Sequence, residues 1–203
     1  MNKPKVTSGL TISLDGFGAG INQTFEKPFG ENFDSDLLDR WMFAEPEKHK
    51  HKKEIDSILD AGAFILGSNM FGPKDRRNNP DWKGWWGDNP PYHAPVFVLS
   101  HQKREPIEMD GGTTFIFVTD GIVSALSKAK EAAVNRNVKI MGGANTVNQY
   151  LAAGLIDELW LHIVPVTVGA GARLFEGVPN LNLEPIEVGG TNVVTHIRYN
   201  VLK

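Results

Sequence analysis

Cysteine is absent from all 203 residues of the sequence. A chain without thiols forms no disulfide, no zinc–thiolate site and no cysteine nucleophile, and nothing in it argues for an oxidising compartment. No apolar run approaches the roughly 20 residues that a membrane-spanning helix needs. Residues 1–8 also lack the continuous apolar stretch of a signal peptide. We therefore expect a cytoplasmic protein with no membrane partner.

A strong net charge is absent as well. The formal net charge is -3, and the one dense basic run, residues 48–53, is followed at once by Glu54 and Asp56. Such a run is typical of a solvated helix face, so we expect no nucleic-acid partner. The composition, with 41% hydrophobic and 22% charged residues, is that of an ordinary globular protein. No segment has the character of a linker, which predicts a single domain over residues 1–203.

Strand and helix patterns alternate along the chain, which favours a layered α/β sheet over a sandwich or a bundle. Strands are predicted at residues 6–14, 63–66, 96–99, 114–118, 138–141, 159–164 and 193–201, the last of them antiparallel. Helices are predicted at residues 34–43, with Asp34 or Ser35 as N-cap, and at 50–61, 122–134 and 146–153. Several strands end at polar or turn-forming residues, where open α/β sheets bind ligands.

The segment Pro73–Pro95 has no clear period and is long for a loop in a compact domain. Trp82, Trp85, Trp86 and Tyr92 argue against disorder, because such side chains gain much by burial. Two interpretations stay open. The aromatic residues either line a lid over a substrate or pack the segment onto the body of the protein or onto a partner subunit.

The paired glycines Gly142 and Gly143 form the strongest local signal. They connect the predicted buried strand 138–141 to a helix whose cap is Asn145 or Thr146. Glycines let a backbone approach a ligand closely, and a helix N-terminus favours a phosphate through its N–H groups and dipole. The pattern is neither a G-x-G-x-x-G fingerprint nor a P-loop. A tight strand-to-helix turn without a ligand is the alternative.

Six short motifs, which follow one another along the chain, give it a family resemblance. Together they resemble the dihydrofolate-reductase-like family that includes the C-terminal reductase domain of the riboflavin-biosynthesis deaminase-reductase. The resemblance implies an α/β, three-layer dihydrofolate-reductase-like fold with a central, mostly parallel sheet and an antiparallel C-terminal edge. The motifs are Ser13–Phe17, Ile65–Gly72, Val96–His101, Thr119–Gly121, Met141–Thr146 and Asp157–His162.

The same resemblance implies NADPH as the cofactor and assigns the residues around it. The pyrophosphate would lie against Gly142, Gly143, Ala144, Asn145 and Thr146, and the other side of the cofactor against Gly67, Ser68, Asn69 and Met70, with Thr119 also in the site. Ser100 and His101 would lie near the adenosine, with Lys103 and Arg104 beside its 2′-phosphate. A cationic pair there favours NADPH over NADH. Outside the family context, Lys103 and Arg104 have the pattern of a solvated surface pair.

Asp15 is the first candidate for a catalytic polar group, because it follows the first strand and precedes flexible glycines. Its alternative is a turn residue, since Asp-Gly is a common turn pair. In dihydrofolate reductases a carboxylate on the first helix anchors the pteridine, and Asp34, Asp36 and Asp39 are available in that region. The usual Leu-Pro-Trp entry to that helix is missing, because residues 26–30 read Glu-Lys-Pro-Phe-Gly.

No metal site is expected from the sequence. His49 and His51 are two residues apart, which does not place both on one helix face, and no third ligand stands nearby in the sequence. His162 alternates within an apolar strand, a pattern typical of an interior or interface histidine rather than of a catalyst.

The combined reading is an NADPH-dependent reductase that transfers hydride to a small pyrimidine- or pterin-like heterocycle. By resemblance, the reaction is of the 5-amino-6-(5-phosphoribosylamino)uracil reductase type. The alternatives are dihydrofolate reduction and a non-catalytic dinucleotide-binding module. The resemblance also implies a homodimer.

Overall fold

The computed structural model describes residues 3–203 as one nine-stranded sheet with helices and loops on both faces. The strands are β1 (Val6–Ser13), β2 (Phe17–Ala19), β3 (Ala63–Gly67), β4 (Pro95–Leu99), β5 (Ile107–Glu108), β6 (Thr114–Val118), β7 (Val138–Gly142), β8 (Glu158–Val164), β9 (Ala172–Arg173), β10 (Asn182–Gly190) and β11 (Thr195–Leu202). The helices are α1 (Ser35–Phe43), α2 (Glu47–Lys50), α3 (Lys52–Ile58), α4 (Ser68–Phe71), α5 (Ile122–Ala133) and α6 (Ala144–Ala152), with a 3₁₀ turn at Asp110–Gly112.

The main sheet has the strand order β10-β11-β8-β1-β7-β3-β4-β6-β5, and β2 pairs separately with β9. The six strands from β8 to β6 run parallel to one another. Antiparallel strands lie at both edges of this parallel set. At one edge β11 pairs with β8 and β10 pairs with β11, and at the other edge β5 pairs with β6. This confirms the predicted mostly parallel sheet with an antiparallel C-terminal edge.

The two faces of the sheet carry separate cores because successive side chains of a strand point to opposite faces. In β3, Ile65 packs beneath α5 and α6, whereas Phe64 and Leu66 pack on the other face. The amphipathic pattern predicted for α5 is confirmed, and its residues Ala125, Leu126, Ala129 and Ala133 are buried. A layer of helices therefore covers one face of the sheet.

The second face is covered by α1 to α3 at one side and by the segment Pro73–Pro95 at the other. Trp41 of α1 is fully buried over this face near β8. The ring of Trp86 stacks on Phe115 of β6 with centroids 5.8 Å apart, and Tyr92 is also buried there. The segment thus packs onto the body of the protein, which is the packing alternative of its two interpretations, and completes the third layer.

Some predicted boundaries were wrong for local reasons. The helix expected over residues 50–61 is shorter than predicted, because α2 ends at Lys50, His51 leaves helical geometry at φ −114° and ψ 22°, and α3 covers only Lys52–Ile58. Strand β10 was missed because its residues are largely exposed at the edge of the sheet and show no buried alternation. The N-cap of α6 is Gly143 rather than Asn145 or Thr146, so the helix begins two residues early.

The N-cap predicted for the first helix is confirmed, since a carboxylate oxygen of Asp34 accepts a hydrogen bond from the N–H of Asp36. Among residues 3–203, no helix has the length and apolar character to cross a membrane.

Candidate functional site

The carboxyl ends of the parallel strands meet at one edge of the sheet, and the predicted site residues follow them. Asp15 comes after β1, Gly67 and Ser68 join β3 to α4, and Ser100 and His101 follow β4. Thr119 follows β6, and the run from Gly142 to Thr146 joins β7 to α6. The structure therefore brings the sequence-predicted cofactor residues to the edge where open α/β sheets bind ligands.

The turn at Gly142 and Gly143 leaves an open approach to the start of α6. Gly142 has φ 118°, a conformation that favours glycine, and the peptide bond between the two glycines is cis. A Cβ built on Gly143 would meet no atom within 4 Å, so space is open in front of the backbone. The first intrahelical hydrogen bonds run from the N–H groups of Thr146 and Val147 to the carbonyl of Gly143. The N–H groups of the preceding residues stand outside that ladder, as an anion site requires.

Close contacts fix the walls of this turn. A Cβ on Gly67 would lie 2.3 Å from Oγ1 of Thr146, so only glycine lets the end of β3 pack against the first turn of α6. A Cβ on Gly142 would lie 3.0 Å from Cδ2 of Leu10 and 3.9 Å from Sδ of Met70. Leu10 and Met70 therefore form an apolar wall beside the paired glycines.

A cavity of about 180 Å³ opens beside the ends of β3, β4 and β6. Its lining includes Ser68, Ser100 and His101, three of the residues predicted for the cofactor, together with Arg77. The guanidinium of Arg77 donates a hydrogen bond to Oδ1 of Asn69, another predicted residue. Arg77 was not identified from the sequence, because it lies in the Pro73–Pro95 segment, where no motif marks it.

Arg104 contacts the Pro73–Pro95 segment and an aromatic ring of the sheet. Its guanidinium donates to the carbonyls of Pro80 at 2.7 Å and Trp82 at 2.5 Å and lies 5.0 Å from the ring centroid of Phe117. These contacts hold the Pro73–Pro95 segment, and Lys103 beside it is exposed. The expected pairing of Lys103 and Arg104 with a 2′-phosphate stays a prediction, and Arg77 is a further cation that lines the cavity.

Asp15 anchors a loop in this structure. Its carboxylate accepts hydrogen bonds from Oγ of Ser13 at 2.6 Å and from the N–H groups of Val168 at 3.0 Å and Gly169 at 2.8 Å. The Ser13 hydroxyl and these N–H groups hold the pKa of Asp15 below its usual value. The geometry agrees with the turn-residue interpretation, and a catalytic role of Asp15 stays a prediction.

Among the three carboxylates of the first helix, Asp39 stands out. Asp34 caps α1 and Asp36 lies exposed in its first turn. Burial, together with the nearby charge of Asp36, raises the pKa of Asp39 to about 6. Helix α1 is held to the sheet by Trp41, whose Nε1 donates to Oγ1 of Thr11 on β1 at 3.3 Å. A carboxyl group with such a pKa is suited to giving up a proton near neutral pH.

Three histidines lie together beneath α1 to α3, an arrangement that the sequence did not reveal. His51, His162 and His196 are buried, and the ring of Trp41 lies against all three with centroids 4.6–5.9 Å away. Burial lowers the pKa of His162 to about 3 and that of His196 to about 4. No third ligand stands near His51 in the sequence, but in the fold His196, which is 145 residues away along the chain, lies 2.9 Å from it. The interior placement predicted for His162 is confirmed.

Comparison with known proteins identifies relatives along almost the whole chain. A family model described as the RibD C-terminal domain matches residues 4–195. Over 195 residues, the chain is 28% identical to the uncharacterized protein YyaP of Bacillus subtilis (strain 168), covering 92% of this chain and 88% of that protein.

Solved structures share the fold. A protein from Shewanella sp. PV-4, described as a "Putative riboflavin biosynthesis protein", has a TM-score of 0.69 and 20% identity, covering 98% of this chain and 99% of its own. The second is a diaminohydroxyphosphoribosylaminopyrimidine deaminase/5-amino-6-(5-phosphoribosylamino)uracil reductase from Thermotoga maritima. It has a TM-score of 0.58 and 14% identity, covering 98% of this chain and 57% of its own. These likenesses confirm the dihydrofolate-reductase-like architecture.

Proposed function

The chain belongs to the RibD C-terminal domain family, and on this basis we propose that it is an NADPH-dependent reductase acting on a small pyrimidine- or pterin-like heterocycle. One observation carries the proposal. The paired-glycine turn opens onto free space at the start of α6, where a Cβ on Gly143 would meet nothing within 4 Å. A dinucleotide pyrophosphate fits such a cradle of backbone N–H groups.

The residues at this edge fit the parts of a nicotinamide dinucleotide. The start of α6 would hold the pyrophosphate, and Leu10 and Met70 would exclude water on the apolar side of the turn. The cavity lined by Ser68, Ser100 and His101 would take the adenosine end. Arg77, at the same cavity, would pair with the 2′-phosphate that distinguishes NADPH from NADH.

When bound, NADPH supplies the hydride, and the protein supplies orientation and a proton. Asp39 is the residue that we propose as the proton source, because burial raises the pKa of its carboxyl group to about 6. Hydride and a proton add across a C=N or C=O bond of the substrate, which in a ribosylaminopyrimidine is the C=N bond formed when the ribose ring opens, so the product gains two hydrogens. Asp15, the earlier candidate, would position the loop at Val168 and Gly169 beside the site.

For the substrate, we propose a ribosylaminopyrimidine of the kind named for the Thermotoga maritima relative, 5-amino-6-(5-phosphoribosylamino)uracil. The test is the oxidation of NADPH by the purified protein with this compound, followed by loss of NADPH absorbance and by the mass of the product. We expect one NADPH consumed for each product that is two hydrogen masses heavier than the substrate. Dihydrofolate is assayed in parallel.

Other outcomes separate the alternatives. Turnover with dihydrofolate alone would replace the pyrimidine by a pterin within the same reductase assignment. NADPH that binds without consumption by either heterocycle would favour a non-catalytic dinucleotide-binding module. No binding of NADPH at all would overturn the proposal.

A further inference from the structure

A connected row of three histidines lies buried under the helical cover formed by α1 to α3, with Trp41 packed against all three rings. His51 lies between α2 and α3, His162 is on β8, and His196 is on β11. His196 joins the other two, because its Nδ1 lies 2.7 Å from Nδ1 of His162 and its Nε2 lies 2.9 Å from Nδ1 of His51. The proposed reduction requires none of these rings.

Glu54 completes a set of metal-binding groups with two of the histidines. One ligand atom from each of His51, Glu54 and His196 lies within 4.8 Å of the other two. Glu54 lies in the first turn of α3, and His51 is the N-cap residue of that helix. Within the described residues, the neighbouring lysines pair elsewhere, Lys50 with Glu47 and Lys53 with Glu187. The Glu54 carboxylate is therefore available to a cation.

We propose that Nδ1 of His51, Nε2 of His196 and the carboxylate of Glu54 bind a divalent transition-metal ion, and that zinc suits this set best. Two imidazoles and one carboxylate are a known zinc donor set that leaves a fourth position for water. With Zn–N distances of about 2.0–2.1 Å, two ligand nitrogens of a tetrahedral ion lie about 3.3 Å apart. The nitrogens of His51 and His196, 2.9 Å apart, need to separate only slightly.

The outer hydrogen bonds of the two rings suit this assignment. Metal-binding histidines usually donate their second ring N–H to an oxygen or to another acceptor, which fixes the tautomer. Nε2 of His51 lies 3.2 Å from Oγ1 of Thr191 and 3.9 Å from a carboxylate oxygen of Glu47. That Glu47 oxygen is buried and has no hydrogen-bond partner among residues 3–203. Nδ1 of His196 faces His162, whose ring nitrogen can accept its proton.

The bound ion would join parts of the chain that are distant in sequence. His51 and Glu54 belong to the α2–α3 region, whereas His196 belongs to β11, near the C-terminus. An ion held by all three would fasten the helical cover to the antiparallel edge of the sheet. Binding would stabilise the folded state, because the ligand set is assembled only there.

The test uses untagged, chelator-treated protein titrated with Co²⁺, whose visible absorption reports coordination by nitrogen and oxygen ligands, followed by displacement with Zn²⁺. We expect about one equivalent of Co²⁺ per chain, lost on addition of Zn²⁺, and a higher melting temperature with Zn²⁺. No Co²⁺ absorption and no shift in melting temperature with Zn²⁺ would overturn the proposal.

Two variants distinguish this site from ions bound at the surface. Glu54→Gln keeps the shape of the side chain but removes its charge, so we expect at least a tenfold loss of affinity with the fold retained by circular dichroism. His49→Gln is the matched control, because His49 is an exposed histidine that pairs with exposed Glu45 in the turn before α2. We expect unchanged affinity there. Affinity that is lost in His49→Gln, or kept in Glu54→Gln, would contradict the assignment.

Discussion

Asp39 is a carboxyl group whose surroundings oppose its ionisation. It lies on α1 with a pKa raised to about 6, first by burial and then by the charge of Asp36. In the unfolded chain the same group would ionise near its ordinary pKa of 3.8. The folded state therefore binds this proton more tightly, and the contribution of Asp39 to stability is present below pH 4 and lost as the pH rises through 6.

From this we predict that Asp39→Asn is more stable than the wild type at pH 8 and equally stable at pH 4. One pKa unit corresponds to about 1.4 kcal/mol, so a gain on the order of 1 kcal/mol in the free energy of unfolding is expected at pH 8. Urea denaturation at the two pH values measures it, with Asp88→Asn, at an exposed carboxylate, as the control. A gain that is the same at both pH values would show that ionisation of Asp39 is not its source.

The proposed proton-donor role also predicts the turnover of Asp39→Asn. An amide cannot supply the proton, so turnover by Asp39→Asn should fall by about 10²–10⁴ although the protein is more stable. Such opposed effects on stability and activity are characteristic of functional residues.

Arg104 is one of the side chains outside the Pro73–Pro95 segment that hold this segment in place. Arg104 donates hydrogen bonds to the carbonyls of Pro80 and Trp82, and its guanidinium lies over the ring of Phe117. The segment also carries Arg77, which lines the cavity at the cofactor edge. Arg104 therefore positions a part of the proposed site.

We predict that Arg104→Ala loosens this segment, whereas Lys103→Ala does not. The loss of several hydrogen bonds, each contributing about 1 kcal/mol, should raise the rate of tryptic cleavage at the exposed Lys83 by about tenfold. Limited proteolysis with mass spectrometry of the fragments provides the measurement. If the two variants are cleaved at the same rate as the wild type, Arg104 does not hold the segment.

The sequence predicted the elements whose signals are local. The buried runs of β3, β4, β6 and β7 and the amphipathic face of α5 were all predicted correctly, because burial on a sheet face and helical period leave direct patterns. The exposed edge strand β10 left none. The division at His51 was also invisible, because it reflects the burial of that side chain against residues far along the chain.

The candidate site was predictable to the extent that its residues follow strands. Gly67, Ser100, Thr119 and Gly143 each follow a recognisable strand, and the parallel order of the strands brings them to one edge. Arg77 at the cavity was not identified, because the path of the Pro73–Pro95 segment that carries it has no periodic signal. The histidine row requires the pairing of β8 with β11, which spacing in sequence does not encode.

In the molecule as a whole, β10 is the outermost strand at one edge of the main sheet, and within residues 3–203 no strand pairs with its outer side. Ile186 and Val188 on this strand are 44% and 67% exposed, and Leu202 of the neighbouring β11 is 52% exposed. Exposed apolar side chains on a long edge strand are typical of a surface that another chain covers. We therefore propose that the protein is a homodimer in which this edge is part of the interface.

The corresponding prediction concerns Val188→Glu. A buried, unpaired carboxylate at the interface should oppose association, so light scattering should give a dimer for the wild type and a larger monomer fraction for the variant. Val123→Glu is the control, because Val123 is 68% exposed on α5, away from this edge. A monomeric wild type at every concentration would contradict the proposal.

Calorimetric titration of the protein and of Gly143→Val with NADPH and NADH tests whether the paired-glycine turn binds the pyrophosphate of the cofactor. Gly143 has φ −65° and ψ −170°, outside the left-handed region, and open space lies before it, so a valine side chain should obstruct the approach of the pyrophosphate. Gly189→Val, at an equally open glycine on β10, is the control. We expect that the wild type and Gly189→Val bind NADPH more tightly than NADH, and that Gly143→Val binds neither. Normal binding of NADPH by a folded Gly143→Val would contradict this expectation.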